Sequence, residues 1–260
     1  GFTPRAAASG PSWNYHPLES GYLPGSAFSD PTILPRDNWP YLYLRDRELP
    51  VNYLTSIIAL LTLAVTATLW TMRGGASVNL QFFFLGAGFL LVETKAMTEL
   101  GLFMGSTWTV NVLVIVAVLI LILLANALAT RPWCPPSRVL YGALIVVLLA
   151  SWSIPLAPLL AWSSPARNPV AVAVLTLPLF FAGVIFSREL RIAPSSSGAL
   201  GANLLGALIG GAAEYSGMVL GFRSLYLVGL GFYALAWLSS VVGRSRAPGT
   251  TGLAAMPEAL

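Results

Sequence analysis

Three ionisable residues, Glu93, Lys95 and Glu99, stand close together in FLLVETKAMTELGLF, residues 89–103, inside a long apolar run. Lys95 is the only lysine of the chain, so the 14 basic residues comprise one lysine and 13 arginines. Successive residues of an α-helix turn by ~100°, which sets Glu93 and Lys95 about 200° apart and prevents them from pairing. Lys95 and Glu99 are at i,i+4 and meet on one face, although lysine before glutamate is the weaker order. Glu93 has Ala96 and Met97, which offer it no charge, as same-face neighbours. It therefore requires a partner from another helix, a water-filled cavity, or a proton. A charge at the bilayer centre costs roughly 2.5–3.5 kcal/mol, so Glu93 is not expected to face lipid. Two chemistries fit the pattern. One is a hydrogen-bonded clamp between helices, or charges that snorkel to the membrane surface. The other is a site for a polar or cationic ligand, or for proton movement.

A second stretch supplies a matching face. In SGALGANLLGALIGGAAEYSGMVLG, residues 197–221, Asn203, Gly206, Gly210, Glu214 and Gly217 fall on one stripe, about 80° wide at helical spacing. Gly206 and Gly210 have the four-residue spacing that lets two helix backbones approach closely in lipid. Gly86 and Gly88 precede the charged turn of the first stretch. The expectation is that the two helices pack together and bury Glu93, Lys95, Glu99, Glu214 and Tyr215 in one polar cluster.

The elements that must carry these residues follow from composition. The chain of 260 residues is 56% hydrophobic and 9% charged, against about 25% charged in soluble domains. Apolar runs recur over 51–242, each long enough to cross a ~30 Å hydrocarbon core as a helix. In lipid the backbone must satisfy its own hydrogen bonds, so these runs are helices. The expected fold is an all-α, polytopic transmembrane helical bundle of about seven spans. They are placed near 51–72, 77–103, 107–129, 138–161, 168–187, 197–221 and 224–242. Pro155 and Pro158 should kink or split the fourth. Residues 1–50, rich in proline, glycine and aromatics, read as an irregular N-terminal segment packed on the membrane domain or on a partner. Residues 243–260 read as a flexible tail.

Composition also excludes chemistry. One histidine (His16) and one cysteine (Cys134) rule out an internal disulfide, a Cys/His metal site and bis-histidine or CxxCH haem attachment. The glycines of FFFLGAGFLLVETK lie in continuous membrane helix rather than in a βαβ turn, so they serve packing and not a nucleotide. No catalytic residue and no cofactor is expected. The net charge of +4 points to lipid headgroups and not to nucleic acid. Seven spans divide the arginines five (36, 45, 47, 167, 223) against seven (73, 131, 138, 188, 191, 244, 246), too even a split to orient the chain.

Taken together, FFFLGAGFLLVETKAMTELGLFMGSTWTVNVLVIVAVLILILLANALA, GANLLGALIGGAAEYSGMVLGFRSLYLVGLGFYALA and LPRDNWPYLYLRDRELPVNYL resemble bacterial multi-pass membrane proteins related to spermidine synthase. The likeness covers roughly residues 33–240. In that family a Gly-x-Gly-Phe-(Leu/Met)-x-x-Glu helix runs into a Leu-Phe-x-Gly turn, and an Asp-Asp-Trp-Pro-Phe-Leu-Tyr-Leu junction joins a soluble domain to the membrane helices. Asn38 stands where the junction has its second Asp. The resemblance implies an aminopropyltransferase-like domain before Gly1 and a non-catalytic membrane half in the bacterial inner membrane. That half would anchor the protein and bind a polar or polyamine ligand past Glu93, Glu99 and Glu214. The alternatives are an accessory subunit packed against other membrane protein subunits, and a small-molecule transporter.

Overall fold

The computed structural model describes residues 38, 49–73, 78–105, 108–154 and 157–246. The expected irregular segment 1–50 lies outside them except for Asn38, Leu49 and Pro50, as do residues 247–260. The described residues form eight α-helices and no strand: α1 (Val51–Arg73), α2 (Leu80–Met104), α3 (Trp108–Ala129), α4 (Ser137–Ser153), α5 (Ser164–Ile192), α6 (Ser196–Glu214), α7 (Ser216–Leu220) and α8 (Leu225–Arg246). Short 3-10 turns occupy Ala157–Ala161 and Phe222–Ser224. Six helical stretches, with α6 and α7 acting as one, are long and apolar enough to cross a membrane. Large apolar side chains along these helices remain exposed, among them Leu123 and Leu204 at 68%. Such a surface needs a hydrocarbon solvent. The chain is an all-α, multi-pass membrane protein.

The segment expected at 138–161 is split at its prolines, as expected, but its helical part is too short for a full span. Helix α4 stops at Ser153, after 17 residues. Ile154 takes an extended conformation (φ −89°, ψ 118°), as the residue before Pro155 is pushed to do. At 1.5 Å per residue α4 is about 25 Å long, short of a full crossing. Its two ends are nevertheless tied to opposite ends of the bundle. Ser137 donates to Glu189 near the end of α5, and the carbonyls of Trp152 and Ser153 accept from Arg223 in the turn before α8.

Other boundaries have local causes. The Asn79 side chain accepts from the amides of Gln81 (3.1 Å) and Phe82 (3.4 Å), a cap that starts α2 at Leu80 and not at 77. Ser195 accepts from Gly198 at 3.1 Å and starts α6. Helix α5 runs well past the expected 168–187 at both ends and contains Pro169 and Pro178, which membrane helices tolerate. Helix α8 continues beyond the expected end at residue 242.

Helix α2 is the centre of the bundle and packs against α3, α5, α6 and α8. Its tightest neighbour is α6, at a glycine seam. A Cβ on Gly206 would lie 1.8 Å from the Phe83 carbonyl oxygen, one on Gly210 2.2 Å from that of Ala87, and one on Gly86 2.0 Å from that of Asn203. Backbone touches backbone at three levels, so none of these three positions has room for a side chain. Gly88, by contrast, faces α8: its Cβ would meet the Tyr233 ring at 2.9 Å. Gly217 lies beyond the α6 seam, buried in α7.

Replacing Gly206 by alanine should destabilise the protein by about 1–3 kcal/mol or more through overpacking. Gly201→Ala, on the same helix with nothing within 4 Å of its Cβ, should leave stability unchanged or slightly raised. Thermal unfolding of the two variants in the same detergent checks the contrast.

Candidate functional site

The polar residues do not gather in one cluster; α2 distributes them among its neighbours. The turn between Glu93 and Lys95 that prevents them from pairing also sends them to different helices. Lys95 and Glu99 face α8, Glu93 lies half-buried on a different side of α2, and Glu214 reaches α2 beside Thr94.

The Lys95–Glu99 group is the most complete. Lys95 is 1% exposed, which rules out snorkelling. Its amine donates to Glu99 Oε2 within an ion pair. The Tyr226 hydroxyl donates to the same oxygen at 3.0 Å, and the Lys95 amine lies over the Tyr226 ring at 3.7 Å and the Phe222 ring at 4.7 Å from their centroids. Tyr226 therefore serves the pair twice, its hydroxyl stabilising the anion and its π-face the cation. A desolvated cation–π contact contributes about 2 kcal/mol, and a hydrogen bond to a charged group about 1.5–3 kcal/mol. Together they offset the cost of holding two charges away from water. Apposition and not residue order decides this pairing.

The turn carrying Phe222 is fixed from outside the bundle. The amide of Phe222 donates to the Asn38 carbonyl at 2.8 Å, and that of Arg223 to Asn38 Oδ1 at 2.8 Å. Gly221 has φ +91°, and a Cβ there would meet Asn38 Nδ2 at 2.9 Å. Glycine is required twice over, for the backbone and for the space. The Arg223 guanidinium donates to the carbonyls of Trp152 (2.5 Å) and Ser153 (2.7 Å), a cation at the C-terminus of α4 where the helix dipole is negative.

Asn203 Nδ2 donates to the Phe82 carbonyl at 3.3 Å across the seam. Tyr215 does not join the acids: its ring packs on Tyr53 of α1, centroids 5.4 Å apart. It sits at the turn between α6 and α7, where the helical stripe is broken. Among the described residues no ion pair or hydrogen bond reaches Glu93, and no three His, Cys, Asp or Glu side chains converge as a metal site.

A further polar set went unread in the sequence. Near the end of α5, SRELR ties down the loop between α3 and α4. Arg191 donates to the Ala129 carbonyl at 2.6 Å, Arg188 to that of Cys134 at 3.3 Å, and Ser187 bonds Asn126. Glu189, 5% exposed, accepts from Ser137 at 2.5 Å. The cation meets the C-terminus of α3 and the anion the N-terminus of α4, each complementing the helix dipole. The signal was three charges within four residues at the edge of an apolar run.

Compared with protein-family models, with curated proteins and with solved structures, the chain matches none.

Lys95→Met should cost about 3–5 kcal/mol, because it strands the Glu99 carboxylate in a half-buried position. The double variant Lys95→Met/Glu99→Gln should recover part of that loss. Unfolding midpoints of the single and double variants measure it, and equal midpoints would mean that the pair is not coupled.

Proposed function

We propose that this chain is a non-catalytic, integral membrane anchoring domain that holds the segment preceding α1 against the turn between α7 and α8. The reading rests on one observation. Asn38, in the stretch that resembles a soluble-to-membrane junction, is seated by two backbone hydrogen bonds and a shape fit to Gly221. The seat stands on the buried Lys95–Glu99–Tyr226 group through Phe222. The polar chemistry inside this part of the membrane is thus engaged in fixing the chain that enters it. The resemblance to spermidine-synthase-like membrane proteins supplies the class: the membrane half of such a protein, in the bacterial inner membrane, with a synthase-type domain before it.

A polyamine ligand is the weaker part of that reading. Glu99 already has an amine, Lys95, and the faces of Tyr226 and Phe222 that would receive a foreign cation are occupied by it. The second reading, an accessory subunit, is favoured by α1. That helix packs chiefly on α6, and only 6% of its membrane-spanning window is buried, leaving an apolar flank for another membrane protein.

Hydrogen exchange tests the anchoring role. Asn38→Ala should speed exchange of the Phe222 and Arg223 amides selectively, leaving the α2 and α6 amides protected. Unchanged exchange at both would remove the seat. Addition of spermidine should leave the melting temperature of the purified chain unmoved; a concentration-dependent rise would favour ligand binding. Migration as a stable heteromeric complex on native gels would favour the subunit.

A further inference from the structure

The loop between α3 and α4 presents charge that the anchoring role does not use. Helices α3 and α4 both pack on α5, and residues 130–136 carry the chain from one to the other. The connection is tied down along its length. Arg191 donates to the Ala129 carbonyl at 2.6 Å, Arg188 to that of Cys134 at 3.3 Å, and Glu189 accepts from Ser137 at 2.5 Å. Within the loop the Arg131 amide donates to the Leu128 carbonyl at 3.0 Å, and the Cys134 amide to that of Arg131 at 3.1 Å. Pro132, Pro135 and Pro136 fix φ at three further positions. A surface fixed in advance loses little freedom when a ligand settles on it.

The side chains it turns outward are not tied. Arg131 and Arg138, one at each end of the loop, are exposed, and among the described residues no hydrogen bond, ion pair or ring contact engages either guanidinium. Trp133 between them is 70% exposed. With Arg188 and Arg191 beneath, the loop and its support hold four arginines against one acid, the buried Glu189. The described arginines at the opposite end of the bundle are engaged. Arg167 lies over Phe103 and bonds Asn168, and Arg223 binds the last carbonyls of α4. The Asn38 seat is at that opposite end too, because it holds Arg223.

Three features together select the ligand. The planar fork of a guanidinium matches two oxygens of a phosphate. An exposed tryptophan beside the end of a membrane helix sits at headgroup level. The helices that run inward from the loop leave Leu123 and Leu124 of α3, and Val139 and Val146 of α4, exposed as a hydrocarbon flank. A soluble phosphate would use the first feature alone, and so would an acidic protein segment. An anionic phospholipid uses all three.

We propose that the α3–α4 loop is a docking site for anionic phospholipid. Headgroup phosphates pair with Arg131 and Arg138, the glycerol region lies against Trp133, and the acyl chains follow the outer flanks of α3 and α4. Lipid then holds one face of the bundle, and the segment entering at Asn38 is held at the other.

Native mass spectrometry tests the site. The full chain, released from nanodiscs with equal phosphatidylglycerol and phosphatidylcholine, carries its retained lipid into the measurement. The wild type should retain phosphatidylglycerol in preference, and Arg131→Gln/Arg138→Gln should lower that preference about tenfold or more. Neither side chain has a partner to lose, so this variant should fold normally. Helix α1 begins beside Tyr215 at the end of α6, so it ends on the same face as the loop, at the exposed Arg73. Arg73→Gln removes the same charge from that face and should change the preference less than twofold. Equal retention of the two lipids by the wild type, or an equal loss in Arg73→Gln, would overturn the site. Displacement of the lipid by inorganic phosphate or by a polyglutamate peptide would overturn it in favour of those anions. None of these outcomes bears on the seat of Asn38.

Discussion

Backbone contact between α2 and α6 is the constraint on which the rest of the bundle depends. Lipid gives two apolar helices no hydrophobic reason to associate, so close packing and interhelical polar contacts must do it. Gly86, Gly206 and Gly210 place no side chain of their own in the interface, and the carbonyls of Phe83, Ala87 and Asn203 lie where Cβ atoms would otherwise stand. Asn203 adds a hydrogen bond at the same level. Once α6 occupies one flank of α2, the remaining faces are taken by α8, α5 and α3. Lys95 then has no route to the membrane surface, and its partners must come from within.

Charge in this protein is handled at helix ends as much as in the interior. Arg191 meets the last carbonyl of α3, Glu189 the first residue of α4, and Arg223 the last carbonyls of α4. Each side chain satisfies groups that a helix end leaves unpaired and has the sign its dipole favours. This accounts for α4, which is short for a span but bracketed at both ends by ionic groups from other helices. The Arg223 contact also links α4 to the Asn38 seat, so the entry of the chain, the turn before α8 and the end of α4 form one connected structure.

The helices and the glycine seam were legible because each rests on a local rule: run length for the spans, four-residue spacing for Gly206 and Gly210. The pairing of Lys95 with Glu99 was legible for the same reason. The partners were not. Tyr226 and Tyr233 are seven residues apart on one face of an apolar helix, a pattern shared with ordinary core aromatics, and only the position of α8 shows that one meets Glu99 and the other Gly88. The single cluster failed because helical rotation sends Glu93 and Lys95 to different neighbours, while Tyr215 falls at a break in the stripe that periodicity alone does not reveal. The role of Asn38 depended on a contact across 185 positions, for which the chain carries no local signal.

Cross-linking measures the central contact directly. A Cβ on Gly211 would lie 3.4 Å from a terminal methyl of Leu90, so these two positions face each other across the α2–α6 seam. Cysteines placed at Leu90 and Gly211, with Cys134 replaced by serine, should join rapidly under mild oxidation in native membranes. Neither should react with a cysteine placed on the exposed face of α3. Failure of the first pair to join, or equal reaction with α3, would mean that α2 and α6 are not in contact and that the arrangement built on them does not exist.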